Sequence, residues 1–505
     1  MLRKFRIDIS HGSERNSPHS MLRSLGQKAT LLQEAEKALV AQSAFKSLNA
    51  FISVPNADIL LREVAEHEAA PAKGPLSGKL IAVKDNICTS SLPTTAGSRL
   101  LRHFTSPYDA TIIEKLRASG AVIAGKTNLD EFGMGSHSTH SHFGPVSQVS
   151  ASGQITSVGG SSGGSAVAVA TGQCHAAVGT DTGGSVRLPA AYNNVVGFKP
   201  SYGLVSRWGV IAYANSLDTV GVFGRNLGDT RIMFDALNAF DARDPTSLSE
   251  HIRARMRSNV CMENGKDVVS LRVGVPTDYN IDELDTAVKN AWITTLQALQ
   301  GQGATLVPVE LQTTRHALSA YYVLAPAEVS SNLAKYDGVR YGERTSGPDG
   351  TSDSVLFAKT RGELGAEAKR RILLGAYSLS AEAKDNYFIQ AQKVRKLVQD
   401  DFNKAFRKPN PLYPEHRTSN AEGVDVLICP TAPTPPPELE RLRDQQPVDA
   451  YTNDVFTVPA SLAGLPALSM PVGGNKSNGI GIQVIGQFGD DHLVFDVAER
   501  IEECT

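Results

Sequence analysis

Two serines set among glycines carry the chemistry of this chain. Residues 159–200 read GGSSGGSAVAVATGQCHAAVGTDTGGSVRLPAAYNNVVGFKP, and Ser161 and Ser185 each stand beside a glycine pair, twenty-four positions apart. Glycine lets backbone N–H groups turn inward with no β-carbon in the way. A serine among such groups can attack a carbonyl while they hold the charge that grows on its oxygen. The serine needs a base. Where no histidine serves, a lysine can, provided it is neutral; its ordinary pKa is about 10.4, and burial disfavours the charged form. Lys84 closes the apolar run Leu80–Val83 of KLIAVKDN, which suits it to that role. Taken singly, Lys84 also reads as a surface lysine at a strand end or a partner of Asp85, and the two serines as polar loop residues.

Three other motifs compete. Gly120 to Thr127 reads GAVIAGKT and satisfies a phosphate-loop pattern. That loop must follow a strand and wrap phosphate with turning backbone, whereas here a helix precedes the glycine and β-prone residues fill the gap. Gly160 to Gly164 reads GSSGG, a nucleophile elbow with Ser162 as nucleophile and Asp491 and His492 as late partners. The strand that should lead into the elbow is missing: the upstream residues are polar and broken by glycine. Cys174 has His175 beside it, but sequence neighbours on a strand point to opposite faces.

The elements that must position Lys84 and the serines alternate between strand and helix. Leu80 to Val83 reads as a strand with Lys84 at its end, Ala121 to Ala124 as a short buried strand, Ser165 to Thr171 as a small-residue helix, and His175 to Gly179 as a strand. Residues 29–50 read as an amphipathic helix with Leu32, Ala35 and Leu39 on one face. Asp109 is placed to cap a helix running through Ser119, with Ile112, Ile113 and Leu116 inward and Gly120 as the stop. Residues 364–401 are helical in pattern, and IGIQVIGQF (480–488) is strand-like with a helix after Asp491. The 241–268 stretch reads as a polar connector, 345–354 and 407–420 as loose segments, and PTAPTPPPELE (430–440) as too rich in proline for helix or sheet interior. Alternating strands and helices argue for an α/β layer structure. No internal repeat is found, and the organisation expected is a tail or targeting segment over 1–28 and a single domain over 29–505 with a helical insertion around 241–420.

Bulk properties narrow the class. The chain has 505 residues, 41% hydrophobic and 20% charged, with a net charge of −2, which leaves no global electrostatic footprint for nucleic acid. Five scattered cysteines (Cys88, Cys174, Cys261, Cys429, Cys504) form no CxxC pair, as expected in a reducing compartment with neither a disulfide framework nor a cysteine metal site. No run of eighteen apolar residues occurs, so no membrane insertion is expected. The first residues, MLRKFRIDISHGSERNSPHSMLRS, are rich in Arg and Ser like a mitochondrial transit peptide, although Asp8 and Glu14 depart from a clean one.

Residues 74–220 resemble the amidase signature family. The matching stretches are VKDN (83–86), GKTNLDEF (125–132), GGSSGGSAVAVA (159–170), GTDTGGSVRLPA (179–190) and VGFKPSYGLVSR (196–207), in the family's order. The resemblance implies an α/β fold with a large mixed β-sheet covered by helices on both faces. It implies Ser185 as nucleophile, Ser161 on a cis peptide bond as proton relay, Lys84 as terminal base, and the N–H groups of Thr182, Gly183, Gly184 and Ser185 as the oxyanion hole. Two departures stand near these motifs: HSTHSH (137–142), where the family usually has serine, glutamate and asparagine, and Val158 in place of a common proline. The three histidines lack a carboxylate or cysteine at ligand spacing, so a polar loop beside the pocket is expected rather than a metal site.

Within the family, the later chain resembles the A subunits of glutamyl-tRNA(Gln) amidotransferases, through NLDEFGMGS (128–136), APAEVSSNLAKYDGVRYG (325–342), EAKRRILLGAYSLSA (367–381) and DAYTNDVFTVPASLAGLPALSMPVG (449–473). This resemblance implies a glutaminase that forms an acyl-enzyme at Ser185 and passes ammonia to a B subunit, which uses ATP and Mg to convert Glu-tRNA(Gln) to Gln-tRNA(Gln). A small third subunit, no cofactor in this chain, and a mitochondrial matrix location, with the cytoplasm as the alternative, follow from it. Glutamine carries a carboxylate and an ammonium, so a selective site needs a fixed cation and a fixed anion. Arg371 and Asp454 fit by resemblance and charge, with Arg370 as the rival of Arg371 and with Tyr321 or Tyr322 lining the pocket. Two other functions remain to be weighed: a stand-alone amidase on small amides, and a non-catalytic nucleotide-binding assembly subunit resting on GAVIAGKT.

Overall fold

The structure, a computed structural model, describes residues 30–71, 73–150, 153–261, 271–347, 357–413, 419–443, 449–472 and 478–504. The tail expected over 1–28 lies outside them, as do most of 345–354 and part of 407–420.

Strand formation follows the apolar runs. The strands are β1 (Phe51–Ser53), β2 (Leu80–Lys84), β3 (Val122–Thr127), β4 (Gln148–Val149), β5 (Ile155–Thr156), β6 (Ala176–Asp181) and β7 (Val196–Lys199). They continue with β8 (Thr219–Gly224), β9 (Arg272–Pro276), β10 (Thr305–Val309), β11 (Val426–Pro430), β12 (Ala467–Pro471) and β13 (Gly481–Gly486). Apart from the β4–β5 hairpin, they form one eleven-stranded sheet in the order β1-β3-β2-β6-β8-β7-β12-β13-β11-β9-β10. The sheet is mixed: β3, β2 and β6 run parallel, as do β11, β9 and β10, and the other neighbours are antiparallel.

Strand β2 shows why both faces are covered. All five of its residues are buried. Ile81 and Val83 belong to one apolar cluster, with Ile112, Ile113 and Leu116 of the helix Thr111–Ala118; Leu80 and Ala82 belong to a second, with Ala35, Val64 and Val167. Successive side chains on a strand point to opposite faces, so the two clusters are the two sides of the sheet, each roofed by helices. This is the amidase-type α/β architecture expected from the sequence.

Local differences have local causes. The first helix spans Leu31–Ala44 under a Thr30–Gln33 capping box and stops short of β1. Ala110, not Asp109, is the N-cap of Thr111–Ala118; the Asp109 carboxylate instead accepts from Ser90 N–H and Oγ at 2.6 and 2.9 Å. The polar 241–268 stretch holds a helix, Glu250–Cys261. The 241–420 stretch is not helical throughout, because β9 and β10 extend the sheet from within it. The 364–401 pattern is two helices, Ala366–Ser378 and Phe388–Ala405.

Candidate active site

Strands β2 and β6 are parallel, and Val83 pairs with Val178, so Lys84 and Thr180 emerge from the same end of neighbouring strands. Open α/β sheets place their ligands at that carboxyl end. Lys84 is fully buried, and Nζ lies 2.8 Å from Ser161 Oγ, 2.8 Å from Ser162 Oγ and 2.9 Å from Thr180 Oγ1. Burial pulls its pKa down to about 7, against the opposing pull of the Asp130, Asp181 and Asp218 carboxylates. A neutral amine at the end of β2 is therefore accessible near physiological pH, as a lysine base requires.

Ser161 follows a cis peptide bond from Gly160. A β-carbon on Gly160 would come to 2.3 Å from Asp130 Oδ2, so the chain passes too close to that carboxylate for any other residue. Asp130 in turn accepts from the N–H groups of Ser138 and His140, both at 2.9 Å, which folds the 137–142 loop against the serine turn. The helix Gly163–Ala170 leads away from the turn and is tied to the sheet through Ser165, whose Oγ is 2.7 Å from Thr127 Oγ1 and donates to Val178 O at 3.1 Å.

Ser185 ends a turn, Thr182–Gly183–Gly184–Ser185, that leaves β6 after Asp181. Its carbonyl accepts from Ser162 N–H at 3.2 Å, which stitches the two serine segments together, and it is only partly buried where its three predecessors are buried. The turn is held from outside. Asp181 is paired with Arg187 at 2.9 Å, both fully buried, and Arg187 reaches on to Thr457 O, Gln483 Oε1 and Ser461 Oγ at 2.7 to 2.8 Å. Thr457 Oγ1 donates to Gly183 O at 2.7 Å. Fixing that carbonyl on one side turns the Gly184 N–H to the other, since the peptide is planar. Gly184 has φ +153°, and a β-carbon there would strike Thr457 Oγ1 at 2.3 Å. Among the described residues, the N–H groups of Thr182, Gly183, Gly184 and Ser185 donate to no protein acceptor. Buried N–H groups are seldom left unspent, and a row of them beside a serine is a preformed oxyanion site.

The residues expected to hold glutamine converge on this turn. Tyr321 lies over Gly183, where a β-carbon would come to 2.8 Å of its Oη, and Asp454 Oδ1 would be 3.4 Å from a β-carbon on Gly184. Asp454 accepts from Ser136 Oγ at 2.9 Å and Tyr322 Oη at 3.1 Å, and burial raises its pKa to about 6. Arg371 is buried while the Arg370 side chain is 41% exposed, so the inward guanidinium is that of Arg371. Its Nε donates to Glu367 at 2.7 Å and Nη1 to Tyr213 Oη at 2.9 Å, and Nη2 donates to no group among the described residues. The Tyr213 N–H donates to Asp218, which also accepts from Thr182 Oγ1 at 2.8 Å, so the cation and the oxyanion turn share one network.

Sequence reasoning missed several members of the site. Ser162 and Thr180 share the Lys84 amine, and Thr457, Tyr213 and Glu367 brace the turn and Arg371. Ser162, Thr180, Thr457 and Glu367 lie within motif stretches read above without these roles, Glu367 with an i, i+4 spacing to Arg371 as well; Tyr213 is brought in by the fold.

The rival motifs dissolve in the structure. Lys126 of GAVIAGKT lies in β3, fully buried and paired with Asp85 at 3.0 Å, so no phosphate loop exists there. Ser162 is occupied between Lys84 and Thr180 O, and His492 is half-exposed beside Asp235. Burial lifts the Cys174 thiol to about 12, and His175 turns to Asp229 at 3.2 Å. His137 is buried against Ser157 Oγ at 2.8 Å, and burial pushes its pKa to about 4. Among the described residues no cluster of three His, Cys, Asp or Glu side chains is arranged to hold a metal.

The Amidase family profile matches residues 36–495. A Coccidioides posadasii protein, named as the mitochondrial A subunit of glutamyl-tRNA(Gln) amidotransferase, is 58% identical over 497 residues, spanning 94% of this chain and 99% of that protein. One of Emericella nidulans with the same name is 52% identical over 509 residues, spanning 94% and 99%. Among solved structures, the glutamyl-tRNA(Gln) amidotransferase A subunit of Thermotoga maritima matches with a TM-score of 0.71 and 32% identity over 94% of this chain and 91% of that one.

Proposed function

The chain belongs to the amidase family, and we infer from that premise and from its site that it is the glutamine-hydrolysing A subunit of a tRNA-dependent amidotransferase. The observation that carries the chemistry is the buried Lys84 amine 2.8 Å from Ser161, beside a turn that ends in Ser185 and whose four N–H groups meet no acceptor among the described residues. Neutral Lys84 takes the Ser161 proton as Ser161 takes that of Ser185, and Ser185 Oγ bonds to the side-chain carbonyl carbon of glutamine. The carbonyl oxygen becomes an oxyanion among the N–H groups of Thr182, Gly183, Gly184 and Ser185. The proton returns along the same path to the nitrogen as the C–N bond breaks, giving ammonia and a glutamyl ester on Ser185, which water then hydrolyses by the same relay. Arg371 holds the glutamine α-carboxylate through Nη2, Asp454 its ammonium, and Tyr321 and Tyr322 wall the pocket.

Ammonia released here serves a partner. The names of the relatives support a multi-subunit assembly, in which we place a B subunit that uses ATP and Mg to amidate Glu-tRNA(Gln), together with a small third subunit. Those names also support a mitochondrial location, and we assign the matrix, where mitochondrial tRNA is charged. No helix of the described residues is long and apolar enough to cross a membrane. Residues 29–505 are read as one catalytic domain, consistent with an apolar cluster running from Leu76 to Ile501. The test is glutamine turnover by the chain co-expressed with its partner subunits. Ser185→Ala is expected to abolish both ammonia release and trapping of the glutamyl ester; retained turnover overturns the assignment, and turnover of neutral amides but not glutamine favours a stand-alone amidase.

A further inference from the structure

The hydrogens around Lys84 can be counted, and the count points to a residue outside the triad. A neutral amine has two hydrogens and one lone pair. To act as a base toward Ser161, it must aim the lone pair there and give both hydrogens away. Ser162 accepts one: its own hydrogen goes to Thr180 O at 3.2 Å, so its oxygen is free to receive from Nζ at 2.8 Å. The second goes to Thr180 Oγ1 at 2.9 Å, a closer acceptor than Thr180 O, which lies 3.4 Å from Nζ and already receives the Ser162 hydrogen. That works only if the Thr180 hydroxyl points its own hydrogen elsewhere; otherwise it donates to Nζ and caps the lone pair. Among the described residues Thr180 Oγ1 meets only Lys84 and the Asn86 amide, whose Nδ2 is 3.1 Å away. Asn86 is buried, and among the described residues its Oδ1 has no hydrogen-bond partner. The nitrogen and oxygen of an amide exchange places by a half-turn, and hydrogen bonding decides which faces which neighbour. With the nitrogen toward Thr180, the threonine hydrogen has only Lys84 to go to. With the oxygen toward Thr180, the hydrogen is drawn off.

We propose that Asn86 is a positioning residue for the base: its amide oxygen takes the Thr180 hydrogen, so that Thr180 accepts from Lys84 and the Lys84 lone pair faces Ser161. This rests on the reading of Lys84 as the base. Asn86 touches neither substrate nor the reacting atoms and acts through Thr180 alone. Its place two residues after Lys84 puts it beside the same strand end, and its backbone is anchored by Ile211 N–H donating to Asn86 O at 2.8 Å.

The experiment measures kcat, KM for glutamine and the pH profile of the co-expressed complex for Asn86→Ala, Thr180→Val, their double variant, Thr180→Ser, Asn86→Asp and Lys84→Ala, each with its melting temperature. Asn86→Ala and Thr180→Val are each expected to lower kcat by about tenfold or more, with KM within about twofold. The double variant should be no worse than Thr180→Val, because both changes break one chain of contacts. In both single variants the acid limb of kcat moves to lower pH, since Thr180→Val takes an acceptor from the ammonium and Asn86→Ala leaves the Thr180 hydrogen facing the amine, which favours its neutral form. Thr180→Ser keeps the hydroxyl and should keep the rate. Asn86→Asp offers only acceptors to Thr180: it should hold kcat within about threefold on the plateau, with its acid limb moved to higher pH by the added negative charge. Multiplicative losses in the double variant, an unmoved limb, or an Asn86→Asp complex that melts normally yet is as slow as Asn86→Ala would overturn the proposal. Should Lys84→Ala retain turnover, it is the assignment of the base that fails.

Discussion

Acidification is the sharpest perturbation of this site, because two of its groups titrate in an accessible range and do different things. Only neutral Lys84 can accept a proton, and its pKa is held at about 7 by burial. The neutral fraction is then about nine-tenths at pH 8 and about one-tenth at pH 6, whereas a lysine at its ordinary value would be well under one per cent neutral at either. The chemical step should therefore slow about tenfold between those two pH values and about tenfold for each further pH unit. Asp454 must be ionised to hold an ammonium, and burial places its pKa at about 6. Its charge is present above that pH and is lost below it, so KM for glutamine should rise below about pH 6 while kcat has already begun to fall near pH 7. Single-turnover ammonia release by the intact complex across this range, at saturating and at low glutamine, separates the two. A kcat flat down to about pH 5.5 would refute a titrating amine as the base. A KM that tracks kcat rather than lagging it by about one pH unit would refute the role given to Asp454.

Three further outcomes test the supports of the site. Arg187→Met leaves Asp181 charged and buried without its partner; a loss of about 3–5 kcal/mol, read as a lowered urea midpoint, is expected, and an unchanged midpoint counts against the network. Thr457→Val frees the Gly183 carbonyl and should reduce kcat roughly ten- to a hundredfold with KM little changed, because removing one oxyanion donor outright costs about 10²–10³. Arg371→Met should raise KM for glutamine by about 10- to 100-fold with little effect on glutaramide, which lacks the α-carboxylate, and an equal loss for both would displace Arg371 from that role.

What the sequence disclosed depended on how local each cause is. Strands β2, β3, β6 and β13 were legible because buried strands read as apolar runs, and Lys84 was legible because it ends one; the other strands of the sheet were not singled out. The rivals could be demoted on context alone, since GAVIAGKT is too β-prone to be a loop. Arg370 and Arg371 could not be separated, because adjacent helical positions differ only in what packs against them; Glu367 pairs with both, and the buried Tyr213 decides. Asp109 looked like a cap and is not, because Ser90, nineteen positions away, claims its carboxylate. Thr180 and Asn86 fall inside the matching stretches GTDTGGSVRLPA and VKDN but drew no role from the sequence, because their importance lies in where hydrogens point once two strands lie side by side.

The bracing of the serine turn by Arg187 has a consequence for biosynthesis. Arg187 reaches acceptors 270, 274 and 296 positions further along the chain. A nascent polypeptide therefore carries both serines and the lysine long before it carries the residues that shape their surroundings. Until Gln483 has left the ribosome the turn lacks part of its scaffold, so a prematurely terminated product should be a silent fragment rather than an uncontrolled source of ammonia.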